Sequence, residues 1–212
     1  MKLLAISSIA WTLFWCGCQT MPADYLRDPR PDGATGIWAG QWLIYGDELE
    51  TGGGLLLFPS DENQTIDLVF RHPNDPERGN VIHYSWNGEE VAGQYTFSGV
   101  SFTVASNWRA YDITPPKDLS AGGYTKISFD VWGDLSEGTK VEFWGGRRSA
   151  TTGRLKLDND DGWVHLDIPL RENDLKKVRE FFVIVFQFAE PSGHSEPGQG
   201  GTVYVDNIRY EK

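Results

Sequence analysis

Short runs of strand-forming residues, separated by clusters of glycine, asparagine, aspartate and proline, fill the chain from Ile37 onward and restrict it to an all-β fold. The spacing of the turn signals is that of a sandwich or a barrel. One helix is predicted, at Glu172–Glu180, and Arg147–Lys156 is predicted to be a loop that concentrates positive charge. The candidate strands are Trp42–Tyr45, Gly54–Phe58, Thr65–Phe70, Val81–Trp86, Gly99–Val104, Lys126–Trp132, Lys140–Trp144, Trp163–Pro169, Phe181–Phe188 and Thr202–Tyr210. A single domain over residues 37–212 follows.

The start of the chain has the pattern of a secretory leader. Lys2 gives a positive start, Leu3–Trp15 is apolar apart from two serines and a threonine, and Gly17-Cys18 follows. A charged start, a short apolar stretch and a small residue before the cut describe a signal peptide. The Gly17-Cys18 end resembles the lipobox of bacterial lipoproteins. The sequence therefore predicts a signal peptide over residues 1–17 and a lipid on Cys18. The alternative is an ordinary signal peptide with two incidental cysteines.

Residues 18–36 contain three prolines and several charges but little apolar content, which predicts a flexible tether between lipid and domain. Gln19 follows the predicted lipidated cysteine. In Gram-negative lipoproteins an aspartate there often retains the protein in the inner membrane, so Gln19 favours the outer membrane or the cell surface. The apolar stretch is shorter than the about 20 residues of a spanning helix, so the expected membrane contact is the lipid alone.

The net charge of −11 excludes several partners. An acidic surface repels phosphate backbones and anionic lipid headgroups, so neither nucleic acid nor electrostatic membrane binding is expected. The four histidines are dispersed, and no P-loop, zinc-protease or nucleophile-elbow motif occurs. Glycosidases need two carboxylates at a fixed separation, and no local signature marks such a pair. We therefore expect a protein that is not an enzyme, with a hydrolase of unfamiliar site as the remote alternative.

Alternation along two strands places acidic and aromatic side chains together. In Ile127–Trp132 and Val141–Trp144, apolar residues occupy one face and polar or tryptophan residues the other. If these two strands pair, one face carries carboxylates beside flat rings, which suits sugars because their C–H faces stack on indoles and their hydroxyls bind carboxylates and amides. The alternative is that a loop covers the rings as core. The predicted carbohydrate-binding residues are Trp132, Trp144, Asp130, Glu142 and Gln187.

Four motifs in the same order resemble those of galactose-binding-like jelly-roll domains of the carbohydrate-binding-module type. They are Ile44–Gly52, Tyr124–Asp134, Gly162–Leu170 and the closing strand Thr202–Tyr210. The resemblance covers about residues 40–210 and implies a single β-sandwich jelly roll. The complex I intermediate-associated proteins have similar motifs without necessarily binding glycans, so the fold alone does not give the function.

Jelly rolls of this group often hold a structural calcium ion between their first and last strands. The resemblance implies Glu50 and Asp206 as ligands, with Glu48 and Asp47 as lesser candidates, because Ca²⁺ takes carboxylate and carbonyl oxygens. The alternative is that Asp206 caps a turn and Glu50 is solvated.

The function that these patterns favour is non-catalytic binding of a polysaccharide or oligosaccharide by a lipoprotein of the cell envelope. The alternative is an envelope structural or assembly protein that uses the same sandwich face to contact another protein. An open groove with aromatic rings favours the glycan, and one flat apolar patch favours the protein partner.

Overall fold

The computed structural model describes residues 41–46, 54–58, 64–88, 97–105, 107–188 and 200–212, which form two antiparallel β-sheets packed face to face. The strands are β1 (Gln41–Tyr45), β2 (Gly54–Phe58), β3 (Gln64–Arg71), β4 (Asn80–Trp86), β5 (Phe97–Thr103), β6 (Lys126–Leu135), β7 (Thr139–Gly145), β8 (Arg147–Leu155), β9 (Val164–Pro169), β10 (Glu180–Phe188) and β11 (Gly201–Glu211). The helices are α1 (Trp108–Tyr111) and 3₁₀ turns at Pro76–Arg78, Ser120–Gly122, Asn159–Asp161 and Glu172–Leu175. None of the described helices is long and apolar enough to cross a bilayer.

The chain passes repeatedly from one sheet to the other. Sheet A has the order β3-β4-β11-β6-β9, with β1 also paired to β11, and sheet B has the order β2-β5-β10-β7-β8. Strand β6 lies in sheet A, β7 and β8 in sheet B, β9 in sheet A, β10 in sheet B and β11 in sheet A. This crossing between two antiparallel sheets is the jelly-roll arrangement. The prediction of an all-β sandwich is confirmed.

The core lies between the inner faces of the two sheets, where alternate residues of each strand meet. Phe129 of β6 reaches across to Phe143 of β7 and Phe182 of β10, with ring centroids 4.9 Å away in both cases. Tyr84 of β4 similarly stacks on Phe186 of β10 at 5.1 Å. Because the inward-facing side chains are buried in the core, only strand residues on the two outer faces can contact a ligand.

Two local predictions are wrong. The segment predicted as the loop Arg147–Lys156 is mostly strand β8, which pairs with β7 along one side only. An edge strand has one paired side, so its polar sequence lacks the apolar alternation that identifies a strand. The segment predicted as the helix Glu172–Glu180 forms one 3₁₀ turn, Glu172–Leu175, and β10 begins at Glu180. Its polar sequence offers no apolar face to hold a longer helix.

Several predictions lie outside the described residues. They are the signal peptide over residues 1–17, the lipid on Cys18 and the tether over residues 18–36. The predicted calcium ligand Glu50 and the lesser candidates Asp47 and Glu48 also lie outside the described residues. These remain predictions, as does the domain boundary at residue 37.

Candidate functional site

The predicted binding residues divide between the two sides of the sandwich. Strand β6 pairs with β11 and β9 in sheet A, whereas β7 pairs with β10 and β8 in sheet B. The two strands therefore do not pair, and the predicted single face that would carry all of these residues is wrong. The physical reason is the turn between them, closed by the Thr139 amide donating to the Ser136 carbonyl at 3.0 Å, which carries the chain from one sheet to the other.

Asp130 lies on the outer face of sheet A with both carboxylate oxygens engaged. Its Oδ1 is 2.7 Å from His165 Nδ1, and its Oδ2 accepts from Asn207 Nδ2 at 3.0 Å and from Arg78. Burial alone would raise the pKa of Asp130, but hydrogen bonds from His165 and Asn207 and the charge of Arg78 outweigh it and lower that pKa. This carboxylate joins side chains from the 3₁₀ turn Pro76–Arg78, from β9 and from β11.

Trp132, also on the outer face of sheet A, is half-buried and contacts several neighbouring groups. Its indole Nε1 donates to the Asn159 backbone carbonyl at 2.9 Å. Its ring lies 4.1 Å from the His72 ring and meets the Trp163 ring edge-on at 5.9 Å. The ring is therefore half-buried in an aromatic cluster, and its role as a sugar contact stays a prediction.

Glu142 and Gln187 come together on the outer face of sheet B. Gln187 Nε2 donates to Glu142 Oε2 at 3.1 Å, and Thr151 Oγ1 donates to Glu142 Oε1 at 2.6 Å. The three residues belong to the neighbouring strands β10, β7 and β8. They form a polar row across the sheet, and all three side chains are half-buried.

Trp144 lies on the same outer face, two residues from Glu142, and packs on Val183 and Val185 in a small cluster separate from the main core. Its side chain is only 7 % exposed, and Arg148 of β8 lies over its ring, with Cζ 5.4 Å from the centroid. The indole Nε1 is buried without a hydrogen-bond partner among the described residues, as is Ser101 Oγ in the same cross-strand row. Buried polar atoms are normally paired, so these two are unusual.

A second aromatic group adjoins this cluster. Phe58 of β2 packs against it, and its ring passes directly over Gly99 of β5, where a Cβ atom would lie 2.4 Å from the ring. The Phe97 ring follows at 6.3 Å from that of Phe58 and is 36 % exposed. Glycine at position 99 is required because only a bare backbone lets a ring approach the sheet this closely.

Asp206 is the one predicted calcium ligand that lies within the described residues. Its carboxylate forms an ion pair with the Arg78 side chain. Arg78 Nε donates to Asp206 Oδ2 at 2.8 Å. Burial raises the pKa of Asp206, and the hydrogen bond from Arg78 opposes that rise only in part. Among the described residues no group of three or more His, Cys, Asp or Glu side chains could hold a metal ion. The predicted calcium site also needs Asp47, Glu48 and Glu50, which lie outside the described residues, so it stays a prediction.

No protein-family model matches the chain, and no curated protein sequence does. Solved structures do resemble it. A family 11 carbohydrate-binding module of a Clostridium thermocellum cellulosomal cellulase aligns at 16% identity over 81% of this chain and 94% of its own, with a TM-score of 0.43. A family 30 carbohydrate-binding module aligns at 14% over 81% and 87%, with a TM-score of 0.45. A family 29 module in complex with mannohexaose aligns at 13% over 80% and 89%, with a TM-score of 0.40.

Three predicted residues, Trp144, Glu142 and Gln187, thus share one face, and Asp130 and Trp132 lie on the other side of the sandwich. The outer face of sheet B combines hydrogen-bonding groups with aromatic surface, which can hold a ligand that presents hydroxyls and C–H groups together. Sequence reasoning missed Phe58 as well as Arg148 and Arg154. The positive charge of Arg147–Lys156 was the available signal for the arginines.

Proposed function

We propose that the protein is a non-catalytic carbohydrate-binding domain and that the outer face of sheet B holds a polysaccharide or oligosaccharide chain. The observation that supports this most is the polar row of Gln187, Glu142 and Thr151 beside the Trp144 cluster. Carboxylate and amide groups held in place by each other are pre-ordered for sugar hydroxyls, which lowers the entropy lost on binding.

The aromatic contribution comes from Phe58 and Phe97 at one side of the face, with Trp144 beneath. Because the Trp144 ring is nearly covered, it supports the face more than it stacks on a sugar. A sugar ring that contacts Phe97 can present its C–H face there and turn its hydroxyls toward Gln187, the residue opposite Phe97 in the β5–β10 ladder.

We also propose the setting that the leader predicts, namely a lipid on Cys18 that anchors the domain at the outer membrane or cell surface. Calcium bound by Asp206 with Glu50, Glu48 or Asp47 remains a proposal for a structural ion at the sheet edge. Neither proposal alters the chemistry of the outer face of sheet B.

The test is retention of the purified protein, produced without residues 1–17, on a panel of plant, algal and bacterial polysaccharides, with calcium and with chelator. We expect one polysaccharide class to retain it, and Glu142→Ala to abolish that retention. Glu137→Ala is the matched control, because Glu137 is exposed in the turn before β7. Absence of retention in every condition would overturn the proposal and favour an envelope protein partner for this face.

A further inference from the structure

A strip of positive charge lies on and beside strands β7 and β8, in a chain whose net charge is −11. Glu142 is the sole acidic residue within these two strands. The strip is made of cations that are exposed or half-buried. Its members are Lys140, Arg147, Arg148, Arg154 and Lys156.

None of these five cations forms an ion pair with the described residues, whereas other cations of the domain do. Arg78 pairs with Asp206, Lys126 with Asp167, and Lys176 with Glu172. An acidic protein has many carboxylates available to neutralise a basic strip. Single exposed cations such as Arg71 also form no ion pair with the described residues, so what distinguishes the strip is five cations on and beside two paired strands that hold one carboxylate.

The arginines of the strip stand at the proposed binding face. Arg154 is directly opposite Glu142 in the β7–β8 ladder, so the two side chains leave the sheet on the same side. Arg148 lies over the Trp144 ring. Two guanidinium groups thus border the polar row of Glu142 and Gln187.

We propose that the ligand of this face is an anionic polysaccharide, whose carboxylate or sulfate groups bind Arg148 and Arg154 while its hydroxyls bind Glu142 and Gln187. This inference rests on the proposed function and specifies its ligand class. The planar fork of a guanidinium matches the oxygens of carboxylates and sulfates, and a charged acceptor strengthens each hydrogen bond.

The net negative charge of the protein does not prevent this. Interactions between exposed charges fade beyond a Debye length of about 8 Å at physiological salt. An anion bound at Arg148 and Arg154 is therefore attracted by the nearby strip more strongly than it is repelled by the distant carboxylates. The same argument predicts that affinity falls as salt rises.

The experiment compares polysaccharides that share a backbone and differ in charge. The probes are dextran and dextran sulfate for sulfate, and methyl-esterified and free polygalacturonate for carboxylate. The proteins compared are the wild type and the variants Arg148→Gln, Arg154→Gln and Arg71→Gln. Arg71 is the matched control, since it is exposed at the end of β3 in sheet A and its substitution removes the same charge.

We expect a charged probe to bind and its neutral counterpart to bind at least tenfold more weakly. We expect each of Arg148→Gln and Arg154→Gln to weaken binding of the charged probe about tenfold, and Arg71→Gln to leave it unchanged. The stronger of the two charged probes identifies the anion.

Equal binding of charged and neutral probes, or equal losses in all three variants, would overturn the inference while leaving carbohydrate binding intact. Binding to no polysaccharide at all would overturn both the inference and the proposed function. Retention on phosphatidylglycerol vesicles that is lost in Arg148→Gln, without polysaccharide binding, would assign the strip to a membrane surface and also overturn the inference.

Discussion

Arg78 donates to Asp206 at 2.8 Å although the two residues are 128 positions apart in the chain. The pair joins the 3₁₀ turn between β3 and β4 to the last strand. Both side chains are poorly exposed, 19 % for Arg78 and 6 % for Asp206. Arg78 also pairs with Asp130 and lies over the Trp163 ring with Cζ 3.9 Å from the centroid. One arginine thus organises the outer face of sheet A.

Asp206→Ala is expected to destabilise the protein by about 1–3 kcal/mol, because it removes a charged hydrogen-bond acceptor from a partly buried guanidinium. Urea unfolding measures the loss. Asp167→Ala is the control, since Asp167 is 45 % exposed and its ion pair is worth less. Equal losses in the two variants would contradict the structural role of Asp206.

The same variant tests the calcium proposal. If Asp206 ligates calcium with Glu50, addition of calcium raises the melting temperature of the wild type and has no effect on Asp206→Ala. A melting temperature of the wild type that is identical in calcium and in chelator would rule out a stabilising ion. Arg78 would then be the cation of Asp206 in every condition.

The ionisation of Glu211 is expected to make the free energy of unfolding depend on pH. Hydrogen bonds, the strongest from Arg209 and a further one from Lys126, lower the pKa of Glu211 from 4.5 to about 2. A carboxyl with a lowered folded-state pKa stabilises the fold above its unfolded pKa, and that stability is lost as pH falls through the folded pKa. Between pH 4.5 and about 2 the unfolding free energy of Glu211→Gln should therefore fall less steeply than that of the wild type. Superimposable acid slopes for the two proteins would show that this ion pair contributes nothing.

Trp144→Ala is expected to cost about 3 kcal/mol, because the ring is buried against Val183 and Val185 and its removal leaves a cavity. Chemical denaturation measures the effect. Phe97→Ala, which truncates an aromatic ring that is 36 % exposed on the same face, should cost less. A free energy of unfolding unchanged by Trp144→Ala would mean that the ring is exposed for stacking on a ligand and does not contribute to the packing.

Gly99→Ala is expected to destabilise the protein by about 1–3 kcal/mol, since the new Cβ would lie 2.4 Å from the Phe58 ring and 2.9 Å from the Ile184 carbonyl oxygen. The Phe58→Ala background should reduce this cost, because the ring is then absent. A double-mutant cycle from urea unfolding gives the coupling. Additive losses would show that the Phe58 ring does not rest on Gly99.

The alternation of inward and outward residues was readable from the sequence because each strand obeys the period of two. Glu142 and Trp144 share the outer face of sheet B, as the alternation in Val141–Trp144 predicts. Whether β6 pairs with β7 was not readable, because a short polar turn can close a hairpin within one sheet or carry the chain to the other sheet. Strand proximity in the sequence therefore suggested one face where the fold makes two.

Burial was the other property that the sequence could not supply. Trp132 and Trp144 have the same strand context in the sequence, yet Trp144 is buried on sheet B whereas Trp132 stays half-buried on sheet A. The partners of Asp130 come from segments distant in the chain, such as Arg78 and His165. Only the assembled fold brings such groups within hydrogen-bonding distance.

Strand β11 is interior to sheet A, where it pairs with β1 and β4 on one side and with β6 on the other. Sheet A therefore cannot be completed until Gly201–Glu211 is available, and this strand follows all the other described strands in the chain. Contacts between residues so distant in the chain slow folding, because a long loop must close before they form. Sheet A must stay incomplete until β11 joins it, and removal of Gly201–Glu211 would divide the sheet between β4 and β6.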